Sequence, residues 1–375
     1  MKITLKIFHT ADLHLGMTFG NRPYPEGVRR RLIEARYETL ERLVEQANEA
    51  QCRLFVVAGD LFHRAQMPPE AVVWAVEALS RFQGGCVAVL PGNHDYDDGF
   101  GGLWKEMREL APDSLLLLTD TAPFRLQDYG IDAVLYPAPC HRKRSRENRL
   151  GWIRELAERP PAKWHIGVAH GTVRGISPDP EEQYFPMDEE ELLALGLHHW
   201  CLGHTHVRYP DLDRVQGAGF CFSGTPEPDG FDCRHGGSAW VITLDEGGQA
   251  ECCALSTGSY RFMDLSRQLQ GEADLDNLAE ELRQAGRRAL VKLSLAGFLP
   301  EERYRSRRLW FDELRSNLLY LEEDDSTLAV ELSAELIDTH FSAGSFPQRL
   351  LSRLAKKDDP AALQLAYRLI GEVKK

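Results

Sequence analysis

The chain has 375 residues, 43% of them apolar, and a formal net charge of −13. That apolar content excludes a disordered chain and supports more than one core; the acidic balance argues against a broad nucleic-acid-binding surface, which needs Lys and Arg. No apolar run approaches the roughly 20 residues that cross a bilayer, and Met1 to Lys6 lacks the apolar block of a signal peptide, so a cytoplasmic protein with no membrane association is expected.

Short apolar runs alternate with amphipathic stretches through the first two thirds of the chain. Ile3 to Phe8 reads as a strand. Val28 to Ala50 reads as a helix, with apolar residues at 33, 37, 40, 44 and 47. Leu54 to Ala58 is a buried strand. Pro68-Pro69-Glu70 opens a helix, since Pro suits a first turn. Cys86 to Leu90 is a strand, followed by strands at Ala133 to Tyr136, His165 to Ala169, Trp200 to Leu202, Gly219 to Phe222 and Ala239 to Thr243. This order predicts an α/β layered core. A boundary falls near Ser256-Thr257-Gly258. Beyond it come a strand (Arg261 to Leu265), a helix (Leu275 to Ala285), a strand (Ala289 to Leu295), a helix (Tyr304 to Leu314) and a strand (Asn317 to Leu321). The tail from Ser345 to Val373 reads as two helices. Asp359-Pro360 caps the last one, whose apolar residues at 362, 366, 369 and 373 form a stripe. None of the eight Cys forms a CxxC pair, so they are expected as small core residues or free thiols.

Five polar motifs follow strand candidates: Asp12-Leu13-His14, Gly59-Asp60, Gly92-Asn93-His94-Asp95, His170-Gly171 and Gly203-His204-Thr205-His206. Sites in open α/β sheets gather outside the carboxyl ends of strands, so these turns are expected to converge. In extended backbone, residues i and i+2 face the same way, which would bring Asp12 with His14 and His204 with His206 to one site. Gly59, Gly92 and Gly203 precede ligands where a tight turn can need a positive φ. Carboxylates, imidazoles and one amide suit Mn²⁺, Fe²⁺ or Zn²⁺ better than a thiolate-seeking metal.

This series resembles that of the calcineurin-like metallophosphoesterases. His9-Thr10-Ala11-Asp12-Leu13-His14-Leu15-Gly16 and Gly59-Asp60-Leu61-Phe62-His63 resemble its DNA double-strand-break repair exonuclease branch, of the SbcD nuclease-subunit type. The resemblance implies a β-sandwich flanked by helices in four αββα layers, spanning 1–257. It further implies a small α+β capping domain at 258–331 and a C-terminal helical segment at 332–375. It implies two divalent ions of the Mn²⁺ type. Asp12, His14, Asp60 and His206 would hold the first; Asp60 would bridge to a second held by Asn93, His170 and His204. Two such ions lower the pKa of a shared water and neutralise charge on the attacked phosphate. By the same resemblance His94 protonates the leaving oxygen or stabilises the transition state, and His63 helps position the substrate phosphate. Asp95 could orient the His94 ring or simply cap the following turn. DNA ends or single strands, a homodimer and an SMC-like coiled-coil ATPase partner are implied as partners.

Blander readings stand beside these. His9, His141, His165, His198, His199, His235 and His340 are expected to be structural or solvated. Arg174, just past His170, is a candidate phosphate clamp. The run Arg142-Lys143-Arg144-Ser145-Arg146, with Arg149, either grips a nucleic-acid backbone or is a solvated loop. Tyr96, Phe100 and Trp104 either stack on bases or pack in the core, and core packing is favoured. The stripe of the last helix either docks on a partner or covers the chain's own surface. Three functions fit the sequence: a metal-dependent DNA exonuclease with some single-strand endonuclease activity, a phosphodiesterase or phosphatase on small nucleotides, and a non-catalytic DNA-end-binding scaffold.

Overall fold

The computed structural model describes residues 3–233, 235–332, 334–357 and 360–373. It divides into two compact units, Met1–Phe262 and Met263–Lys375.

The first unit runs β1 (Leu5–Thr10), α1 (Glu26–Glu49), β2 (Leu54–Val57), α2 (Pro69–Ser80), β3 (Cys86–Val89), α3 (Gly102–Leu110), β4 (Leu115–Leu117) and β5 (Phe124–Arg125). It continues through β6 (Ala133–Ala138), α4 (Gly151–Arg154), β7 (Trp164–His170), α5 (Glu189–Ala194), β8 (His199–Gly203), β9 (Arg214–Gln216), β10 (Phe220–Phe222), β11 (Ser238–Leu244) and β12 (Ala250–Ser256). Two sheets form, of order β4-β3-β2-β1-β11-β12-β9 and β10-β8-β7-β6-β5.

The strands β2 and β3 are apolar throughout because both of their faces are covered. Successive side chains alternate faces. Ile7, Leu54, Val56 and Ala88 therefore point into a core shared with Leu135, Ile166, Val168 and Cys201 of the second sheet. Phe8, Phe55, Val57 and Val89 point the other way, against Leu40, Leu43, Val72 and Leu103 of the helices α1, α2 and α3. On the far side of the second sheet, Val134, Trp200 and Leu202 meet Ile153 and Leu192 of α4 and α5. The result is the four-layer αββα arrangement. Seven of the eight Cys are buried and all eight are free thiols, as expected of small core residues.

The structure moves several boundaries. The first strand starts two residues later than expected, because its ladder with β11 begins at Leu5, and Ile3 is exposed. The helix α3 and the strands β4, β5, β9 and β12 had no expectation at all. Within α3, Trp104 is buried and its indole N–H donates to the Asp95 carbonyl at 2.5 Å. Phe100, just before the helix, is 96% exposed, so the favoured core reading holds for Trp104 and fails for Phe100.

In the second unit a three-stranded sheet has β14 (Ala289–Leu299) at its centre, between β13 (Arg261–Leu269), which begins just before the division, and β15 (Tyr320–Val330). The helices α6 (Glu272–Ala285) and α7 (Glu301–Asn317) supply Leu278, Leu282, Phe311 and Leu314 to one core with Leu293 and Leu321. The strand expected at Asn317 to Leu321 starts three residues later. Asn317 still belongs to α7, its side-chain amide bonded to the Glu313 carbonyl, and the strand starts at Tyr320, where it pairs in parallel with Leu290. Then come α8 (Ala334–His340), α9 (Phe346–Ala355) and α10 (Pro360–Val373). The Asp359 cap lies outside the described residues. The face of α10 that packs carries Leu363, Ala366, Tyr367 and Ile370, against Ile337, Phe341 and Leu351. Leu369, placed in the stripe by sequence, is half exposed. Among the described residues, no helix is long and apolar enough to cross a membrane.

Candidate metal centre

All five ligand-bearing turns leave the carboxyl ends of parallel strands. The first three follow β1, β2 and β3, which pair in parallel in one sheet. The other two follow β7 and β8, parallel in the other. Hydrogen bonds stitch the turns together across the gap. Asp12 N–H donates to the Gly59 carbonyl at 3.1 Å and His14 N–H to the Asp60 carbonyl at 3.0 Å. His204 N–H donates to the Asp12 carboxylate at 3.0 Å.

The local backbone is strained rather than extended. Asp12, His14, Asp60 and His204 have φ of 56°, 49°, 53° and 98°, a region that costs a non-glycine residue about 1–3 kcal/mol. The expectation that Asp12 and His14 converge through extended geometry is therefore corrected: left-handed residues curl the turn, and both side chains still meet at one place. His204 and His206 part instead, one to each half of the centre. Of the three glycines, Gly59 alone has a positive φ, at +95°. Gly92 and Gly203 are needed for room. A Cβ on Gly92 would lie 2.1 Å from Asp60 Oδ1, and one on Gly203 would lie 2.0 Å from the Ala58 carbonyl oxygen.

Two clusters share one carboxylate. Asp60 Oδ2 lies 3.6 Å from His14 Nε2 and 3.4 Å from His170 Nε2. On the first side, His14 Nε2 is 3.1 Å from His206 Nε2, and Asp12 Oδ1 is 3.9 Å from the same His206 nitrogen. On the second, Asn93 Oδ1 is 3.0 Å from His170 Nε2 and 2.8 Å from His204 Nδ1. Asp12, His14, Asp60, Asn93 and His170 are all buried. Residues 5–208 match the family model described as calcineurin-like phosphoesterase.

The chain belongs to the calcineurin-like phosphoesterase family. Proteins of this family use divalent metal ions. Over 215 residues, 56% of this chain and 50% of the relative, the chain is 28% identical to the Uncharacterized metallophosphoesterase YhaO of Bacillus subtilis (strain 168). Over 326 residues, 80% of this chain and 66% of the relative, it is 27% identical to the DNA double-strand break repair protein Mre11 of Methanopyrus kandleri. The protein of the same name from Archaeoglobus fulgidus is 34% identical over 93 residues, 24% of this chain and 19% of the relative. The chain thus spans between half and two thirds of the length of the first two relatives.

The donor set of this chain fits divalent ions. Asp12, His14 and His206 offer ligand atoms within 4.8 Å of one another, and so do Asp12, Asp60 and His170. Buried carboxylates demand positive charge close by, and in the protein alone imidazole protons must supply it. Burial opposes a charge on His170, but the Asp60 carboxylate outweighs it and lifts the ring to about 9. For His206 burial is again overcome, here by Asp229, and the ring rises to about 9. Burial lowers His14 far below the usual imidazole range and takes His204 to about 3, helped by the neighbouring His170. Burial raises the Asp12 carboxyl to about 6. Divalent ions held by these residues would supply the same compensation.

His94 and His63 flank the first cluster. The His94 N–H donates to Asp60 Oδ1 at 2.8 Å, and His94 Nδ1 lies 3.1 Å from the His63 carbonyl. The two rings stack with centroids 5.2 Å apart. His63 Nδ1 is 3.5 Å from His14 Nδ1, and burial, then His94, lowers the His63 ring to about 4.

Asp95 does not orient the His94 ring. Its oxygens accept the Phe62 N–H at 2.9 Å and the Gly92 N–H at 2.7 Å, so it clamps the turn after β2 to the turn after β3. The His63 carbonyl orients the ring instead. Arg174 is also placed differently from its expected role as a clamp. Its guanidinium binds Glu182 at 2.8 Å and Asp188 at 2.5 Å and is taken up by them.

Sequence reasoning missed Asp229, whose Oδ2 lies 3.0 Å from His206 Nδ1 and 3.7 Å from Arg36. A carboxylate behind an imidazole fixes its tautomer and basicity. It also missed Tyr184, whose ring lies 4.9 Å from that of His204. The turn Pro226-Glu227-Pro228-Asp229-Gly230 was the available signal: a polar turn between two apolar strands.

Proposed function

We propose that the chain is a two-metal DNA phosphodiesterase, acting first as an exonuclease. In this reading Asp12, His14, Asp60 and His206 hold one ion, and Asp60, Asn93, His170 and His204 hold the other, with Mn²⁺ the favoured metal. The observation that carries it is Asp60 Oδ2, within 3.6 Å of His14 and 3.4 Å of His170, between the two donor groups. The name of the Methanopyrus kandleri relative supports DNA as the substrate.

Bound divalent ions would supply a lowered pKa for the attacking water and charge neutralisation for the phosphate. The chain's own part is positional. Asp229 and the backbone of the strained turns hold the imidazoles in register. His94 is fixed through Nδ1 by the His63 carbonyl, which leaves Nε2 to carry the proton that the leaving oxygen takes up. The net charge of −13 favours a second reading, hydrolysis of small nucleotides.

Cleavage of end-labelled linear duplex DNA with Mn²⁺ tests the proposal. Wild type should cut, and EDTA should stop it. Asp60→Asn should abolish cutting, and His94→Ser should lower kcat by roughly 10²–10⁴ while metal still binds. Cutting that survives EDTA, or that both variants retain, would sink the reading. Turnover of dinucleotides without DNA cleavage would favour the second.

A further inference from the structure

The loop between β6 and α4 carries a basic pocket outside the metal centre. Arg142, Arg144, Arg146 and Arg149, with His141, line a cavity of about 570 Å³, a size common for ligand sites. No candidate metal ligand lines it. Glu147 is the one acidic residue in its lining.

Three features separate this pocket from a solvated basic loop. The first is charge. Arg154, Arg174 and Arg208 are all paired with carboxylates, whereas among the described residues no ion pair involves the four pocket arginines. Arg174 binds both Glu182 and Asp188, which turns those two carboxylates toward it. The second is unmet hydrogen-bonding capacity. Arg149 Nε and His141 Nδ1 are buried without a partner. Four guanidinium groups face a single carboxylate in this lining, and a phosphate suits them through forked contacts.

The third is rigidity. Ser145 N–H donates to the Gln183 carbonyl and Phe185 N–H to the Ser145 carbonyl, both at 2.8 Å. Asn148 donates to the Pro186 carbonyl at 3.0 Å and to Glu191 at 2.9 Å. The loop backbone is fixed by this frame, so little backbone entropy is lost when a ligand enters.

Position decides the ligand. Arg144 lies 5.8 Å from the Tyr184 ring, and that ring lies 4.9 Å from His204. Tyr184 thus neighbours both Arg144 of the basic pocket and His204 of the metal centre. A substrate with one phosphate cannot serve both places, while a polynucleotide can present one phosphate to each and lay a base on the aromatic ring between them. We infer that the Arg142–Arg149 pocket binds a backbone phosphate of a single nucleic-acid strand, next to the phosphate attacked at the metal centre. This inference rests on the phosphodiesterase reading of that centre.

The test is binding of a fluorescein-labelled single-stranded oligonucleotide to the full chain, in EDTA, across a salt series. Arg142→Gln/Arg146→Gln should weaken binding about tenfold and make the slope of log K against log salt shallower by about 0.7 for each phosphate that is no longer neutralised. Arg30→Gln/Arg81→Gln, with the same charge change elsewhere, should bind within about twofold of wild type, and melting curves should overlay. The inference is overturned if the wild type does not bind the strand, if the two double variants weaken equally, or if a mononucleotide competes as well as the oligonucleotide per phosphate. A wild type that binds through this pocket but never cleaves would overturn the phosphodiesterase reading alone.

Discussion

His9 and His199 lie fully buried in the sandwich, and each bonds one ring nitrogen only. His9 Nε2–H donates to the Leu202 carbonyl at 3.2 Å and His199 Nδ1–H to the Ala218 carbonyl at 2.8 Å; the other nitrogen of each ring has no partner. A neutral ring tolerates that bare lone pair, and a charged ring does not. Burial, then the nearby His199, lowers His9 to about 3, and burial lowers His199 to about 4. Both folded values lie below the unfolded imidazole, so the stability they confer is complete above about pH 6.5. It is lost as pH falls toward 4 and then 3, on the order of 1 kcal/mol per pH unit for each ring. Urea midpoints should therefore fall between pH 6.5 and 5, and His199→Gln should flatten that fall. An unchanged slope in the variant would refute the assignment. Burial of these two rings was legible as a bland expectation, but their tautomers depend on carbonyls far along the chain.

Arg36 shows how a helix is tied to the site. It sits on the buried face of α1, 1% exposed, and reaches three acceptors on other segments. Its guanidinium donates to the Leu13 carbonyl at 2.6 Å and the Glu227 carbonyl at 3.4 Å, and lies 3.7 Å from Asp229 Oδ2. Glu227 in turn accepts Thr39 Oγ–H and the N–H groups of Ser259 and Tyr260 at 2.7, 2.7 and 2.9 Å. The helix thus braces the turn bearing Asp12 and His14 and the carboxylate behind His206. Removing one partner of a buried ionic network costs about 3–5 kcal/mol. Arg36→Met should lower unfolding free energy by that order in urea titrations, and Arg36→Lys should recover little, since an ammonium cannot reach three acceptors in a fork. A loss below about 1 kcal/mol would place the network among ordinary surface pairs. The helix itself was readable from its apolar spacing; an arginine on its buried face was not, because periodicity marks apolar positions only.

At the scale of the whole chain, two compact units predict more than one unfolding step. The proposed metal ligands all belong to the first unit. Mn²⁺ at about 100 times its dissociation constant should stabilise that unit by about 2.7 kcal/mol, and EDTA should reverse the shift. Calorimetry should show one transition moving with Mn²⁺ and another standing still. Equal movement of both, or of neither, would contradict the assignment of the ligands to the first unit.

Residue type and local order were enough to set the parts of this protein that depend on them alone. Apolar runs ended in Asp-x-His, Gly-Asp, Gly-Asn-His-Asp and Gly-His-x-His, and chemistry at a strand's end requires those side chains in those turns. The layered α/β core followed from the same runs. Which residues stand behind the centre was settled by folding in three dimensions. Asp229 behind His206, Asp95 across two turns, Tyr184 beside His204 and Arg174 bound by Glu182 and Asp188 join segments that no spacing rule connects. The folded chain also revealed that the turns curl through left-handed residues, and that Gly92 and Gly203 are glycines for want of space. Local patterns report which chemistry is present, whereas packing between distant segments sets the geometry and charge in which that chemistry acts.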